Sequence, residues 1–463
     1  MGFTRRRFLG GALAGAVGRT AGGAGIYELV DQIAGAPARA LGAGSAPTPE
    51  QHLLELGTVM SEGVEVVVPP LHSEVVTATL RNLSDLKAAQ RRLEAVLRGL
   101  DTTYPATAAG LGVTVAWGLP YFENRVASAW AKHAPRDIRA QRPALLPPRR
   151  FPSDPPTTAL EANDVAFLLR SDSLAHIAAA RKAIFALPFL RMTSIRRGFA
   201  GGGFAGKRSL PKKMAMAAGV PGADLIPDTS ELFLGFTSTQ KAGLGPGKIA
   251  NFETLGMVDL RSGYFRHGTH MHVSHIREDL EAWYLNFDFN ERVLTAFRPG
   301  LKVKPGTQTV AQAAQDASSA AQLKRQTAET GRFGHSASIQ PTSRLQQDHV
   351  GVDGTHYPKG TAIPQRADFN TLDNPFAWTA DSRKDGYSKL PTAGVHFVVF
   401  NPSSEDFERN RLAMDGRLPD GTRFPVPQGS RAQGFNSILQ TTHRQNFLVP
   451  PRAHRSFPLA ELS

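Results

Sequence analysis

The run Glu74-Val75-Val76-Thr77-Ala78-Thr79-Leu80 is dominated by β-branched and apolar side chains, the composition of a buried strand. Beyond it the apolar period changes. Leu86, Leu93, Leu97 and Leu100 recur at helical spacing after Ser84, a residue suited to N-capping, and Gly99 lies near the end of that stretch. Residues 113–117 predict a second strand and residues 165–169 a third, followed by a helix carrying Leu174, Ile177 and Ile184. The later part of the chain repeats the scheme. Residues 232–236 and 269–273 read as strands, and Ser274 is placed to cap a helix with Glu278 and Asp279 in its first turn and Ile276, Leu280 and Trp283 inward. Residues 395–400 read as a further strand, with Ser403 and Asp406 spaced as a capping pair before Phe407 and Met414. Strands and helices intersperse without the regular alternation of a parallel sheet. The expected fold is therefore α+β, two similar halves with antiparallel sheets.

Composition narrows the chemistry. With 463 residues, 41% of them hydrophobic, the chain can bury one large core or two ordinary ones. It has no cysteine, which excludes disulfides, thiolate zinc, Cys-held iron–sulfur clusters, thiolate-ligated haem and a cysteine nucleophile. A net charge of +13 favours anionic partners. Long stretches at 133–162, 191–228 and 302–330 read as irregular, the first two basic, but no groove-reading motif accompanies them, so no specific nucleic-acid partner is expected. The GGGFAG run at 201–206 lacks the Gly-Lys-Ser/Thr end of a phosphate loop.

The opening Thr4-Arg5-Arg6-Arg7-Phe8-Leu9, followed by Gly/Ala-rich residues 10–17, has the pattern of a twin-arginine export signal. Residues 1–46 are therefore expected to form a signal segment outside the fold, read by the twin-arginine export machinery, with a periplasmic or extracellular destination. Small residues around Ala36, Ala38, Ala40 and Ser45 would suit cleavage. A plain basic tail is the alternative.

His270 and His272 share a strand face, flanked by His267 and His275, but no carboxylate at motif spacing completes a metal site, and sheet-face histidines are the simpler reading. No G-x-S-x-G, HExxH or dinucleotide fingerprint is present. A more suggestive segment runs from Gly331 to Pro341, where His335 sits among small residues at a loop entrance. Ile363-Pro364-Gln365-Arg366-Ala367-Asp368 follows some 31 residues on. An imidazole can ligate haem iron and a guanidinium can stabilise charge on bound peroxide. On spacing alone both are equally ordinary loop chemistry.

In this arrangement the chain resembles the dye-decolourising (DyP-type) haem peroxidases. The likeness is carried by Gly268–Val273 running into Arg277-x-x-Leu280-x-x-Trp283, by Glu291-Arg292-Val293, Gly334-His335 with Pro341, Ile363–Arg366 and His396–Asn401. It implies two ferredoxin-like halves with four-stranded antiparallel sheets (residues 47–235 and 236–463) and haem b held mainly by the second. It also implies His335 as the proximal iron ligand, Arg366 as the distal arginine with Asp368 close by, and Gly235 and Phe236 beside the cofactor. One departure stands out: the family's GFxDG aspartate is matched by Ser238 in Gly235-Phe236-Thr237-Ser238. His443 and Arg444 could face the pocket or a haem propionate, or form a turn network. The resemblance implies an exported peroxidase that reduces hydrogen peroxide with an unidentified electron donor, a homo-oligomer being allowed. Two alternatives stay open: a non-catalytic haem-binding protein for sensing or haem handling, and a haem-free scaffold that binds anionic partners through its basic loops.

Overall fold

The computed structural model describes residues 26–34, 47–201, 209–238, 240, 254–259, 263–310, 319–373 and 391–463. The twin-arginine stretch and the small-residue cleavage positions lie outside the described residues, as does most of the Gly201–Gly206 run.

The first half is a β-α-β-β-α-β unit: β1 (His72–Leu80), α1 (Leu86–Thr103), β2 (Gly112–Gly118), β3 (Val165–Ser171), α2 (Leu174–Phe185) and β4 (Leu190–Phe199). Its strands lie antiparallel in the order β4-β1-β3-β2. Leu93, Leu97 and Leu100 of α1 bury against the outer face of these strands, as their spacing predicts. The cap of α1 is Asp85 rather than Ser84: its carboxylate accepts the Ala88 N–H at 2.9 Å.

The second half contributes β5 (Thr269–Glu278), α3 (Leu280–Leu285), α4 (His335–Ser343), β6 (Gln365–Arg366), β7 (Phe369–Thr371), β8 (Gly394–Asn401), α5 (Ser404–Met414) and β9 (Leu439–Val449). The capping pair expected at the start of α5 is present, with Asp406 accepting the Ser403 N–H at 3.1 Å. β9 pairs with β2, β7 pairs with β4, and β5 pairs with both β8 and β9. The strands therefore close into a ring rather than two separate sheets, with Ala159–Leu160 attached to β9 as the one parallel pairing among the described strands. Val75, Ala116, Leu168, Val273, Val398 and Phe447 fill its interior.

Four sequence expectations are corrected. First, Ser274 does not start a helix. β5 continues to Glu278 because its backbone pairs on both sides, with β8 and β9, and α3 begins only after Asp279, whose carboxylate accepts the Ala282 N–H. Second, residues 232–236 turn instead of forming a strand. The carbonyls of Phe233 and Leu234 are taken by the Tyr284 hydroxyl and the Trp283 indole, and Gly235 adopts φ +87°. Third, residues 191–199 are not a basic loop but β4, in which Arg196 is fully buried on Glu161 and Arg197 reaches Glu74 at 3.2 Å. Fourth, residues 320–330 form a helix opened by a Ser319–Gln322 capping box.

The expected signal segment also contributes to this core. Ile26 and Tyr27 and the helix Leu29–Ala34 pack on the helix Leu210–Ala217. Tyr27, 2% exposed, donates its hydroxyl hydrogen to Asp373 at 2.7 Å, and Asp31 meets His72 Nε2 at 2.7 Å. Among the described residues, no helix is long and apolar enough to cross a membrane.

Candidate functional site

Alternation along β5 sends Met271 and Val273 into the ring and Ser274, Ile276 and Glu278 to the opposite face. That face, with Val395, Phe397 and Val399 of β8, forms one wall of a cavity of about 310 Å³. α4 and α5 form another wall. The loop through Phe236, Thr237 and Ser238 and the short strand β6 complete the lining.

His335 is the first residue of α4, not a loop residue. Gly334 precedes it because any Cβ there would lie 2.3 Å from the Phe297 carbonyl oxygen, so a larger residue would push His335 off its position. The imidazole packs against Phe435 with ring centroids 4.6 Å apart, and its Nδ1 is buried without a hydrogen-bond partner. Burial, with the guanidiniums of Arg366 and Arg411 nearby, lowers its pKa to about 4. It is therefore neutral at pH 7, the form a metal needs.

Arg366 is held in β6, opposite Val399 of β8, and its guanidinium donates to the Ser238 carbonyl oxygen. Ser238 is fixed from its other side, its N–H donating to Glu231 at 2.8 Å. Phe236 lies edge-on to Phe297 with centroids 5.0 Å apart. Gly235 is next to the cavity lining but not part of it; a Cβ at this position would meet the Tyr284 hydroxyl at 3.0 Å. Asp368 lines the cavity, where loss of solvent raises its pKa and Arg366 partly offsets the rise.

Sequence reasoning missed several lining residues. Glu278, only 8% exposed, carries a buried Oε2 with no partner. Burial first, then the charge of Asp368, pushes its pKa up to about 8. The two-residue alternation from His272 through Ser274 and Ile276 could have found it, but assigning residues 274–279 to a helix hid that pattern. Arg344, Arg411 and Arg444 also face the space. Arg444 pairs with Asp154 at 2.7 Å, and Arg411 with Asp154 and Asp415 at 3.2 and 2.9 Å. Arg444 thus faces the cavity, whereas His443 bonds Thr442 at 3.1 Å.

His270 and His272 have no third metal-ligating side chain grouped with them among the described residues. His272 is hydrogen-bonded to Asn446 through Nδ1 at 2.7 Å and to Ser274 through Nε2, and burial lowers the pKa of both histidines below the usual imidazole value. Among the described residues, no group of three or more His, Asp or Glu is arranged to hold a metal ion. A single imidazole such as His335 can hold iron only when the metal brings its other donors with it, as haem does. The neutral His335, the apolar β5 and β8 faces and the guanidiniums available to carboxylates fit that group.

The basic stretch 133–162 is engaged within the fold in part, through Arg139 and Arg142, while Arg136, Arg149 and Arg150 are exposed. Arg139 pairs with Asp137 and Asp406 at 2.9 Å each, and Arg142 with Glu405 and with Glu408 at 2.8 Å, tying this stretch to α5.

Fold and cavity together define a mixed α+β protein with a closed, mainly antiparallel ring of strands beside one cation-rich, partly apolar pocket. Residues 70–451, from just before β1 to the end of β9, match the DUF7405 model, described as a family of unknown function, and the chain belongs to that family. No curated protein sequence matches it. Among solved structures it is similar to DyPB from Rhodococcus jostii (14% identity, 84% of this chain and 95% of that chain, TM-score 0.48). It is also similar to the encapsulated DyP-type peroxidase from Mycobacterium smegmatis (13%, 84% and 96%, 0.48) and the dye-decolorizing protein from V. cholerae (13%, 84% and 96%, 0.47).

Proposed function

We propose that the chain is an exported haem-binding protein with peroxidase chemistry, built from two ferredoxin-like halves. One observation carries this reading: Ser238, His335 and the Arg366–Asp368 segment, drawn from three parts of the sequence, line the same cavity. Bound there, haem would supply the iron that binds and reduces hydrogen peroxide. His335 would hold that iron through its neutral imidazole. Arg411 and Arg444, already fixed by Asp154, would offer hydrogen bonds to the propionates. Arg366 would stabilise negative charge developing on a peroxide oxygen, and Asp368 would take a proton from it. The electron donor is a separate molecule that the cavity does not identify.

Ser238 favours a second reading, haem binding without catalysis, because a hydroxyl is a poor proton acceptor at the position where the resemblance calls for a carboxylate. The haem-free scaffold has less support, since Arg139, Arg142 and Arg196 are engaged in internal ion pairs.

The deciding experiment is the absorption spectrum of the purified chain after haem is added, beside His335→Ala. A Soret band in the parent that is lost in the variant supports histidine-ligated haem, and turnover of hydrogen peroxide then separates the two haem readings. A parent that stays colourless overturns both.

A further inference from the structure

The cavity contains an acid that the resemblance does not single out. Glu278 ends β5 with its side chain on the cavity face, 8% exposed, and its Oε2 has no hydrogen-bond partner. Its surroundings tie it to the loop where the expected aspartate is missing. The charge of Glu278 acts on Tyr284 of α3, and the Tyr284 hydroxyl lies close to Gly235 while donating to the Phe233 carbonyl. From the other side Asp368 acts on Glu278, and Arg366 acts in turn on Asp368. Two carboxyl groups coupled in one low-dielectric cavity do not both ionise at neutral pH, and their protons come off as a pair. The guanidinium of Arg366 favours the charge on Asp368, which leaves the shared proton on Glu278.

We infer that Glu278 and Asp368 form a carboxyl pair holding one proton between them, and that this pair accepts the proton of a small weak acid entering the cavity. This rests on the haem-binding reading above, under which that acid is hydrogen peroxide. The O–H bond of the acid breaks, its proton passes to the ionised carboxylate of the pair, and the electron pair stays on oxygen as the anion beside Arg366. The pair goes from one proton to two, and no electron is transferred in this step. Glu278 thereby supplies from strand β5 the acid that Ser238 lacks.

Hydrogen cyanide, which also gives up a proton when its anion binds haem iron, is the probe. Its association rate with the haem-loaded chain is followed by the Soret shift from pH 5 to 9 in the parent, Glu278→Gln, Glu278→Asp and Asp368→Asn. The parent rate should follow the protonation of the pair. Glu278→Gln should move the midpoint by at least one pH unit toward acid, Glu278→Asp should largely restore it, and Asp368→Asn should slow association at pH 7 about tenfold or more. A midpoint unchanged in Glu278→Gln overturns the proposal. Infrared titration of the haem-free chain provides a readout independent of loading. The component of the protonated-carboxyl band that fades near pH 8 in the parent should be missing in Glu278→Gln, and such a component persisting in that variant overturns the pair. Failure to take up haem removes the function proposed above and the peroxide step with it, while the infrared band still decides whether the pair exists.

Discussion

The guanidinium of Arg366 donates a hydrogen bond to the backbone carbonyl of Ser238, joining strand β6 to the loop after Phe236 across 128 positions of sequence. A charge-assisted bond of this kind contributes about 1.5–3 kcal/mol. It has two consequences here, because the same side chain lines the cavity and acts on Asp368 and His335. Arg366→Leu should loosen the loop as well as remove the cation. The haem-loaded variant should respond to hydrogen peroxide about 10²-fold more slowly. Arg366→Lys should fall between variant and parent, because an ammonium restores charge but not the planar donor fork. Stopped-flow absorbance with the three proteins tests the order, and equal rates would remove Arg366 from the chemistry.

Placement of His335 depends on the residue before it. Alanine at position 334 would bring Cβ within 2.3 Å of the Phe297 carbonyl oxygen and 2.6 Å of the Leu294 carbonyl oxygen, both backbone atoms that cannot swing aside. Gly334→Ala should therefore destabilise the fold by about 1–3 kcal/mol and displace the start of α4. Thermal unfolding should show the loss. Haem uptake should weaken although His335 is unchanged, and normal uptake at normal stability would show that the helix start tolerates the displacement.

Much of this architecture is legible in the sequence, for identifiable reasons. Residues 74–80 and 165–169 are continuous apolar runs, and Leu93, Leu97 and Leu100 keep helical spacing, so local pattern and tertiary role agree. Where they disagree, long-range partners decide. Ser274 and Asp279 are both good N-caps, and only pairing with β8 and β9 makes the strand run on to Glu278. Arg196 and Arg197 read as a solvated basic stretch because Glu161 and Glu74, which neutralise them, lie far away in sequence. The candidate site was accessible as scattered segments through resemblance. Glu278, Arg344 and Arg411 were not, since nothing local distinguishes an acid or arginine facing a cavity from one facing water.

The N-terminal segment gives a separate prediction. Tyr27 and Val30 are buried, the Tyr27 hydroxyl reaches Asp373, and Asp373 also meets His396 Nε2 at 2.9 Å. A chain starting at residue 25 should keep parent-like stability. A chain starting at residue 47 leaves an apolar face uncovered and a buried carboxyl short of one donor, and it should melt several degrees lower. Tyr27→Phe isolates the hydrogen-bond part at about 1–2 kcal/mol. Equal melting temperatures for the two truncations would show that the segment is dispensable to the fold.

Ser238→Asp tests the departure from the GFxDG pattern directly. The position lines the cavity and its carbonyl is fixed by Arg366, so a new carboxylate there would have a cation at hand. Peroxide reactivity of the haem-loaded chain should rise tenfold or more if proton acceptance limits it. No rise, with haem binding intact, would mean that Glu278 and Asp368 already meet that need or that another step is limiting, and the same substitution on Glu278→Gln separates the two.

Stability should peak near neutral pH in the haem-free chain, and the sign follows from two opposed sets of groups. Burial lowers His52 and His270 to about 3 and His335 to about 4, and holds His272, His275 and His396 well below the usual imidazole value. In the unfolded chain these side chains protonate near pH 6.5, so the stability that depends on their neutral form is complete above that pH and is lost as pH falls toward 4. Glu278 and Asp373 act in the opposite direction. Burial raises them to about 8 and about 6, so their contribution is complete below pH 4 and is lost as pH rises through those values. Glu74, Asp164, Asp368 and Glu405 are likewise raised by burial, while His454, Glu94, Asp137, Asp420 and Glu461 are lowered. The groups whose contribution is lost in acid therefore outnumber those whose contribution is lost as pH rises, and the acid limb is the steeper one. Melting temperature measured from pH 4 to 9 should rise to a maximum near neutrality and then decline gently, and Glu278→Gln should flatten that decline. A melting temperature that climbs as the chain is acidified from pH 7 to 5 would show that the buried histidines are not held neutral.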